Sequence, residues 1–248
     1  MRRFCFMLIC PFIFSLASYA QTDSAVAKPW KTPFKRGYIR LGIDKLGSSL
    51  NTAVSPAENI HDGNFGAGNG YTMELGHIFY FLSRKEHRVF NAGLDWTILN
   101  LAYSPLNKWE KYAGMRSESI DPEGTNLSAA AVSRLGPVIA INPADKLVIE
   151  ARFQVSYGLY LSVLSYDITS GPNAGYSFGM DNDNIFDSKG LGTSFGATIR
   201  YGFFGFSADL SNAKIPVSYY IDEPDKNEVN GMEKIPFKNF QVKVSFTL

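Results

Sequence analysis

The sequence predicts an all-β fold, an eight-stranded antiparallel up-and-down transmembrane β-barrel with short turns at one end and long loops at the other. Three observations predict it. Apolar residues recur at every second position in segment after segment, which is the period of a strand with two different faces. Short and long connections alternate along the chain. After the N-terminus, no stretch reaches the roughly 18 consecutive apolar residues that indicate a transmembrane helix.

Composition narrows the function classes. The 248 residues include 24 Lys+Arg and 23 Asp+Glu, so the chain lacks the basic surplus expected of a nucleic-acid-binding protein. A hydrophobic content of 45% is too high for a disordered chain and, with a mean hydropathy of −0.08, too low for a bundle of transmembrane helices. One folded domain with short appendages is therefore expected.

The N-terminus has the pattern of a secretory signal peptide. Arg2 and Arg3 precede an apolar run over 4–16. The segment 17–20, Ala-Ser-Tyr-Ala, is an A-x-x-A variant of the small-residue cleavage pattern and suits cleavage after Ala20. A membrane anchor is the alternative, but this run is shorter than a spanning helix requires and is interrupted by proline.

Cleavage there predicts three regions. They are a signal peptide at 1–20, a periplasmic N-terminal extension at 21–36 and a barrel domain at 37–248. Cys5 and Cys10 would leave with the signal peptide, so we expect neither disulfides nor a cysteine zinc site in the mature chain.

The first four predicted strands alternate apolar residues with polar residues or glycine. In the first, Ile39 and Ile43 lie opposite Arg40 and Asp44. Pro137 weakens the fourth segment, because proline cannot donate to a strand ladder. The four segments cover 38–46, 71–82, 89–101 and 128–142.

The last four predicted strands include the clearest pattern of the chain. Over 147–161 every odd position is apolar, while Glu150, Arg152 and Gln154 occupy the other face. The C-terminal segment repeats the alternation from Asn239 to the final residue. The remaining two segments cover 191–201 and 203–210.

The connections between these strands are short and long in turn. This alternation is typical of outer-membrane barrels, which have short periplasmic turns and long outer loops. The short connections are 83–88, 143–146 and Gly202. The long ones are 47–70, 102–127, 163–190 and 211–236.

The polar faces of the strands predict a charged barrel interior. An eight-stranded barrel is just wide enough for side chains to fill, and buried charges are costly unless they are paired. Five cations and five anions fall on the polar face, which predicts a cross-linked network. Its members are Arg40, Asp44, Glu74, Asp95, Arg134, Glu150, Arg152, Arg200, Asp209 and Lys243.

Aromatic residues near the predicted strand ends are candidates for the girdles that border the membrane. A preference of aromatic residues for strands explains some of them equally well. The candidates are Tyr38, Tyr71, Phe90, Tyr103, Tyr201, Phe203 and Phe237.

The chain resembles the small outer-membrane β-barrel proteins of Gram-negative bacteria, the group of OmpX-like and OmpA-transmembrane-like barrels. The resemblance rests on a signal peptide ending in Ala-Gln, eight alternating segments and the final strand FQVKVSFTL. It implies a barrel fold and an outer-membrane location. Members serve as anchoring proteins, adhesins, small-solute channels, secretion components and lipid-modifying enzymes, so the fold does not select an activity.

Two histidines are candidates for a catalytic role. His61 has a neighbouring carboxylate in Asp62 but no identifiable nucleophile, and His77 falls on the lipid-facing side unless the register slips at Gly76. The segment 181–187 resembles a calcium loop but lacks the expected oxygen ligand at Ile185. We therefore expect no catalytic, cofactor-binding or metal-binding residues.

Four functional readings follow. The first is a membrane-embedded protein with a structural or interaction role, whose partners would be outer-membrane lipid and an envelope protein, with any small-molecule ligand unspecified. A narrow channel for small solutes is the second, and its conductance would depend on Arg152 or Glu150. A lipid A-modifying hydrolase that uses His77 or His61 is the third. A soluble periplasmic β-sandwich is the fourth.

Overall fold

The computed structural model describes residues 33–82, 89–181, 188–222 and 229–248. They fold as antiparallel strands in one continuous sheet, with two short helices in the connections. None of the described helices is long and apolar enough to cross a membrane. The predicted cleavage site and residues 21–32 lie outside this part of the chain.

Ten strands and two helices are present in the described residues. The helices are α1 (Pro56–His61) and α2 (Trp109–Met115). The strands are β1 (Gly37–Leu46), β2 (Gly70–Tyr80), β3 (Phe90–Pro105), β4 (Ser119–Pro122), β5 (Leu127–Ala144), β6 (Leu147–Ser170), β7 (Ser177–Asp181), β8 (Lys189–Tyr201), β9 (Phe204–Asp222) and β10 (Val229–Thr247).

Pairing between the long strands closes into a ring. Its order is β1, β2, β3, β5, β6, β8, β9, β10 and back to β1, every pair antiparallel. The short strands β4 and β7 pair with β6, and β7 also with β9, beyond the ends of β5 and β8. The structure therefore has ten strands where the sequence predicted eight. We call the end with the β5–β6 and β8–β9 turns the turn end, and the opposite end the loop end.

Charged side chains lie inside this ring and apolar side chains lie outside. Arg152 and Glu150 of β6 are buried, whereas their neighbours Phe153 and Val155 are exposed. The same division holds along β9, where Asp209 is buried and Leu210 is exposed. A soluble β-sandwich has the opposite distribution, because its apolar faces meet in the core.

Several strands are longer than predicted. Above Asn212 in β9, the inward positions are the apolar Ala213, Ile215 and Val217, while the outward positions are polar or proline. A pattern that expects apolar residues on the outward face therefore misses this part of the strand. The predicted loop 211–236 is consequently mostly strand, and β6 continues to Ser170, eight residues into the predicted loop 163–190.

A bulge in β3 reverses the alternation. Leu75 pairs with Leu99 and Gly76 with Thr97, so Ile98 is the extra residue. Inward positions are odd-numbered before this bulge and even-numbered after it, which turns Asn100 inward. In β5, the pairing with β6 skips Pro137, as expected for a residue without a backbone donor.

Five of the seven girdle candidates are exposed on the outside, and two predictions were wrong. Tyr38 and Phe237 are buried inside the barrel. The Tyr38 ring lies against Gly76, where an added Cβ would come within 2.2 Å of the ring. The five exposed aromatic residues are Tyr71, Phe90, Tyr103, Tyr201 and Phe203.

The interior has apolar clusters at both ends. At the turn end, Phe34 packs against Tyr80 with ring centroids 5.4 Å apart, beside Val138 and Val148. At the loop end, a larger cluster extends from the barrel into the connections. Its bulkiest buried members are Phe65, Leu106, Trp109, Tyr160, Tyr166, Phe178, Met180 and Phe237.

Candidate functional site

All ten charged residues predicted for the interior are buried in it. None has more than 3% of its surface exposed, and they come from β1, β2, β3, β5, β6, β8, β9 and β10. The alternation of each strand is sufficient to turn these side chains inward. Their contacts divide them into one large network and two smaller groups.

Seven of the ten residues form a continuous network. Glu74 accepts hydrogen bonds from Arg40 and Lys243, and Lys243 also lies 2.9 Å from Asp209. Arg152 donates to the Asp209 carboxylate at 2.6 Å. Asp95, 3.8 Å from Arg152, and Arg134, 3.8 Å from Glu74, complete the network.

The other three residues form no ion pair with these seven. Glu150 accepts from Arg200 at 3.1 Å and from the Tyr80 hydroxyl at 2.9 Å. Asp44 was predicted to pair with a cation, but the donors that bond it are neutral. They are Gln241 at 2.8 Å, Ser104 at 2.9 Å and Asn239 at 3.1 Å.

Neutral side chains, which the charge pattern of the sequence does not predict, complete the network. Tyr38 donates to Asp95 at 2.7 Å, and Arg152 donates to Thr198 at 2.6 Å. Asn100 bridges Glu74 and Gln241. Alternation could have identified Thr198 and Gln241, but it could not identify Asn100, because the β3 bulge reverses the pattern before that residue.

The network occupies the barrel interior with ion pairs. Each carboxylate is held by buried cations or hydroxyl donors. Removal of one partner of such a buried pair strongly destabilises a protein, because the other partner remains buried without compensation. The charged side chains are directed at one another and are shielded from solvent at both ends by apolar clusters. We therefore assign this network to barrel stability.

The loop end carries the more accessible candidate site, which we call the loop platform (residues 47–69, 106–126 and 171–181). Its centre is Trp109, which is fully buried and donates from Nε1 to the Phe65 carbonyl at 3.0 Å. The Phe178 ring lies 5.0 Å from it. Gly66 has φ +64°, and a Cβ there would lie 2.6 Å from Trp109 Nε1, so the close approach requires glycine.

Local sequence signals hold the first connection in place. Ser55 caps α1 through a capping box with Glu58, and Pro56 suits the first turn. From α2, the Tyr112 hydroxyl donates to the Val54 carbonyl at 2.5 Å, and burial raises the pKa of Tyr112. Arg116 donates to the same carbonyl at 3.0 Å.

Two cavities flank α1 on this platform. The larger, about 350 Å³, lies between α1 and the upper parts of β7, β9 and β10, and its apolar walls include Ile60, Phe178 and Val217. The second, about 320 Å³, has Ile168 and Phe178 in its wall and Arg116 at its edge. Concave apolar surfaces with a few polar groups are the usual form of a binding site.

The histidines occupy different environments. His61 ends α1, and its Nδ1 lies 2.6 Å from Glu233 Oε2 at the rim of the larger cavity. His77 faces outward with its ring 4.7 Å from Phe79, and the bulge at this level lies in β3 and leaves the outward placement of His77 unchanged. No cluster of three metal-ligating side chains exists among the described residues. Most of the predicted calcium loop, 182–187, lies outside them.

The His61–Glu233 contact predicts a pH-dependent attachment of α1. The hydrogen bond and charge of Glu233, with a smaller effect of Asp62, raise the pKa of His61. A raised pKa means that the contact stabilises α1 fully below the ordinary histidine value of about 6.5, and that this is lost as pH rises through the raised value. Hydrogen exchange over 56–63, corrected for intrinsic rates, should be up to about fivefold faster at high pH, because exposed pairs contribute less than about 1 kcal/mol. The variant Glu233→Gln should lose this pH dependence, and its retention would contradict the assignment.

Comparisons with known proteins find similarity only at the level of solved structures. No family model matches the chain, and a search of curated proteins finds no match. Among solved structures, the chain is similar to outer membrane protein AlkL, determined by solid-state NMR in DMPC lipid bilayers. The two share 11% identity at a TM-score of 0.34, with 92% of this chain and 97% of that chain covered.

Proposed function

We propose that the protein is an integral outer-membrane β-barrel, closed by eight strands, that holds the loop platform at the cell surface for interaction with another envelope component. The observation that carries the proposal is the exposed apolar belt around an interior of buried charged side chains. No catalytic step is assigned to it.

The outer belt has the height of a membrane. From Lys238 to Phe246 in β10, the outward positions after the lysine are all apolar. In β8 the corresponding stretch runs from Lys189 to Tyr201 and includes one polar, uncharged residue, Thr193. These stretches contain nine and thirteen residues, which are eight and twelve residue-to-residue steps. At about 3.3 Å per residue and a tilt near 40°, they span about 20 to 30 Å, which brackets the apolar band of about 25 Å in outer-membrane barrels.

The lengths of the connections support an orientation. The turn end has the two-residue connections 145–146 and 202–203, whereas the loop end has α1, α2, β4 and β7 in its connections. Short turns face the periplasm and long loops face outward in such barrels. The loop platform would therefore lie at the cell surface.

The interior favours an interaction role over conduction. An apolar cluster at each end and the charge network between them fill successive levels of the described interior. A narrow channel, the alternative from the sequence, would need a continuous aqueous path through these levels. The platform instead offers its cavities on the outside, where a partner could reach them.

A labelling experiment tests location and orientation. Exposed Lys111 in α2 and Asp145 in the β5–β6 turn are each replaced by Cys in a chain otherwise free of cysteine after signal cleavage. A membrane-impermeant maleimide should label Lys111→Cys on intact cells and Asp145→Cys only after the outer membrane is permeabilised. Equal labelling of both on intact cells, or recovery of the protein in the soluble periplasmic fraction, would refute the proposal.

Cross-linking from the same positions tests the interaction role. A photoreactive maleimide attached at Lys111→Cys should yield a discrete cross-linked partner band, whereas attachment at Asp145→Cys should yield a different pattern. Recovery of the uncross-linked barrel from both positions would argue against a partner at the platform.

A further inference from the structure

Four lysines point outward at the upper edge of the apolar belt, and they lie on four consecutive strands of the ring. Lys45 is in β1, Lys238 in β10, Lys214 in β9 and Lys189 in β8. All four are exposed, and none forms an ion pair with another described residue. We call these residues the lysine row.

The register places the lysine row at nearly one height. Lys45 pairs with Phe240, two residues below Lys238, and Lys238 pairs with Asn212, two residues below Lys214. Lys214 in turn pairs with Leu191, two residues below Lys189. Each step along the ring therefore rises by two residues.

The tilt of the strands offsets this rise. A row of directly paired residues does not stay at one height around the ring, because it descends toward the turn end in this same direction. The row that starts at Asp44 in β1 passes through Gly196 in β8 and ends at Tyr80, at the turn end of β2. Such a descent accompanies strand tilt in every closed barrel. The four ammonium groups consequently border the belt as a row and do not spiral away from it.

The row is confined to one half of the circumference. At the loop-side edge of the belt, the outward residues of β2, β3, β5 and β6 are uncharged, namely Tyr71, Tyr103, Ala129 and Leu161. Below the lysines, the outward positions of their own strands carry no charged residue as far as the turn end. A cationic edge above an apolar wall thus distinguishes this face of the barrel.

A groove runs along the same face. It has a volume of about 650 Å³. Its lining combines Lys45 and Lys238 with the apolar Phe195, Leu210 and Phe240 and with small polar residues that include Ser211. Phe195 and Leu210 are 57% and 58% exposed, so they lie on the outer surface. The groove combines an apolar floor, suited to acyl chains, with ammonium groups at its upper edge.

We infer that the lysine row and this groove bind a phosphorylated outer-leaflet lipid of the lipid A type, with its phosphates on the lysines and its acyl chains along the aromatic wall. Charge complementarity carries the assignment, because these four cations have no ion pair among the described residues and lie at the level of the headgroups, where they attract anionic lipid. The inference rests on the proposed function, since only an outer-membrane barrel with the loop end outward meets such a lipid there.

The test compares two sets of lysines. The full-length mature chain is inserted into lipid vesicles, extracted in mild detergent and examined by native mass spectrometry with bis-phosphorylated lipid A and with the same lipid after dephosphorylation. The row variant carries Lys45→Gln, Lys189→Gln, Lys214→Gln and Lys238→Gln. The matched control removes four exposed lysines elsewhere, through Lys35→Gln, Lys108→Gln, Lys111→Gln and Lys146→Gln.

The wild type and the control variant should prefer the phosphorylated lipid by about tenfold or more, and the row variant should lose this preference. Equal binding of the two lipids by the wild type, or equal losses in both variants, would overturn the inference while insertion still supports the barrel. Displacement by millimolar inorganic phosphate would indicate a free-anion site and would also overturn it. Failure of the wild type to insert into vesicles would refute the proposed function, and the lipid site with it.

Discussion

Replacing Glu74 with glutamine is expected to lower the free energy of unfolding of the barrel by about 3 to 5 kcal/mol. Glu74 is the carboxylate on which Arg40 and Lys243 converge, with Arg134 3.8 Å away. The amide keeps the size of the side chain but removes its charge. These cations would then be buried in excess of the remaining anions, which is the costly outcome of breaking a buried pair.

Urea titration of the protein in lipid vesicles measures this change. Tryptophan fluorescence reports barrel unfolding, because Trp96 faces outward from β3 and would exchange lipid for water. Glu110→Gln is the matched control, because Glu110 is exposed in α2 and its loss should change stability by less than about 0.5 kcal/mol. Adding Lys243→Met to Glu74→Gln should recover part of the loss, since one uncompensated cation is removed. A Glu74→Gln protein as stable as the control would show that the network contributes little.

Replacing Trp109 with alanine is expected to release the loop platform while the barrel below it stays folded. Trp109 is fully buried and contacts Phe178 and Tyr112 through ring edges and faces, and it holds the first connection through the Phe65 carbonyl. Removing a buried tryptophan costs about 3 to 5 kcal/mol. The platform has no disulfide to replace this contribution, because the described residues contain no cysteine.

Limited proteolysis distinguishes the platform from the barrel. Trp109→Ala should be cleaved within 47–69 and 106–126 at protease concentrations that leave the wild type intact. Its strand core should still show the heat-dependent shift in gel migration expected of a folded barrel. Trp96→Ala is the control, since Trp96 is 41% exposed and lies outside the platform. Equal cleavage of the two variants would contradict the assignment of Trp109 as the centre of the platform.

Much of the arrangement along each strand was predictable from alternation alone. The inward placement of Arg40, Glu74 and Lys243 follows from a period of two residues, which is a local property of an extended chain. The same rule predicts exposed Phe153 and Leu210. The rule fails at the β3 bulge, where the alternation reverses, and beyond Asn212 toward the loop end of β9, where the inward residues are apolar.

Which charges meet was decided only by the tertiary structure. Lys243 in β10 contacts Asp209 in β9 and Glu74 in β2, two strands that are far apart in sequence. Asp44 is held by amides and a hydroxyl instead of a cation. These outcomes depend on the register between strands. Alternation determines on which face of its strand a residue lies, but not which residue of the neighbouring strand it pairs with.

The loop platform and the lysine row show the same division between what the sequence determines and what the tertiary structure decides. The sequence by itself determined that the strands have two faces, that charges point inward and that apolar residues point outward. The burial of Trp109 beneath three connections and the common height of Lys45 and Lys189 were decided by the tertiary structure alone. The physical reason is that side-chain direction follows from the backbone period of a single strand, whereas height and neighbourhood follow from the pairing and tilt of the whole ring.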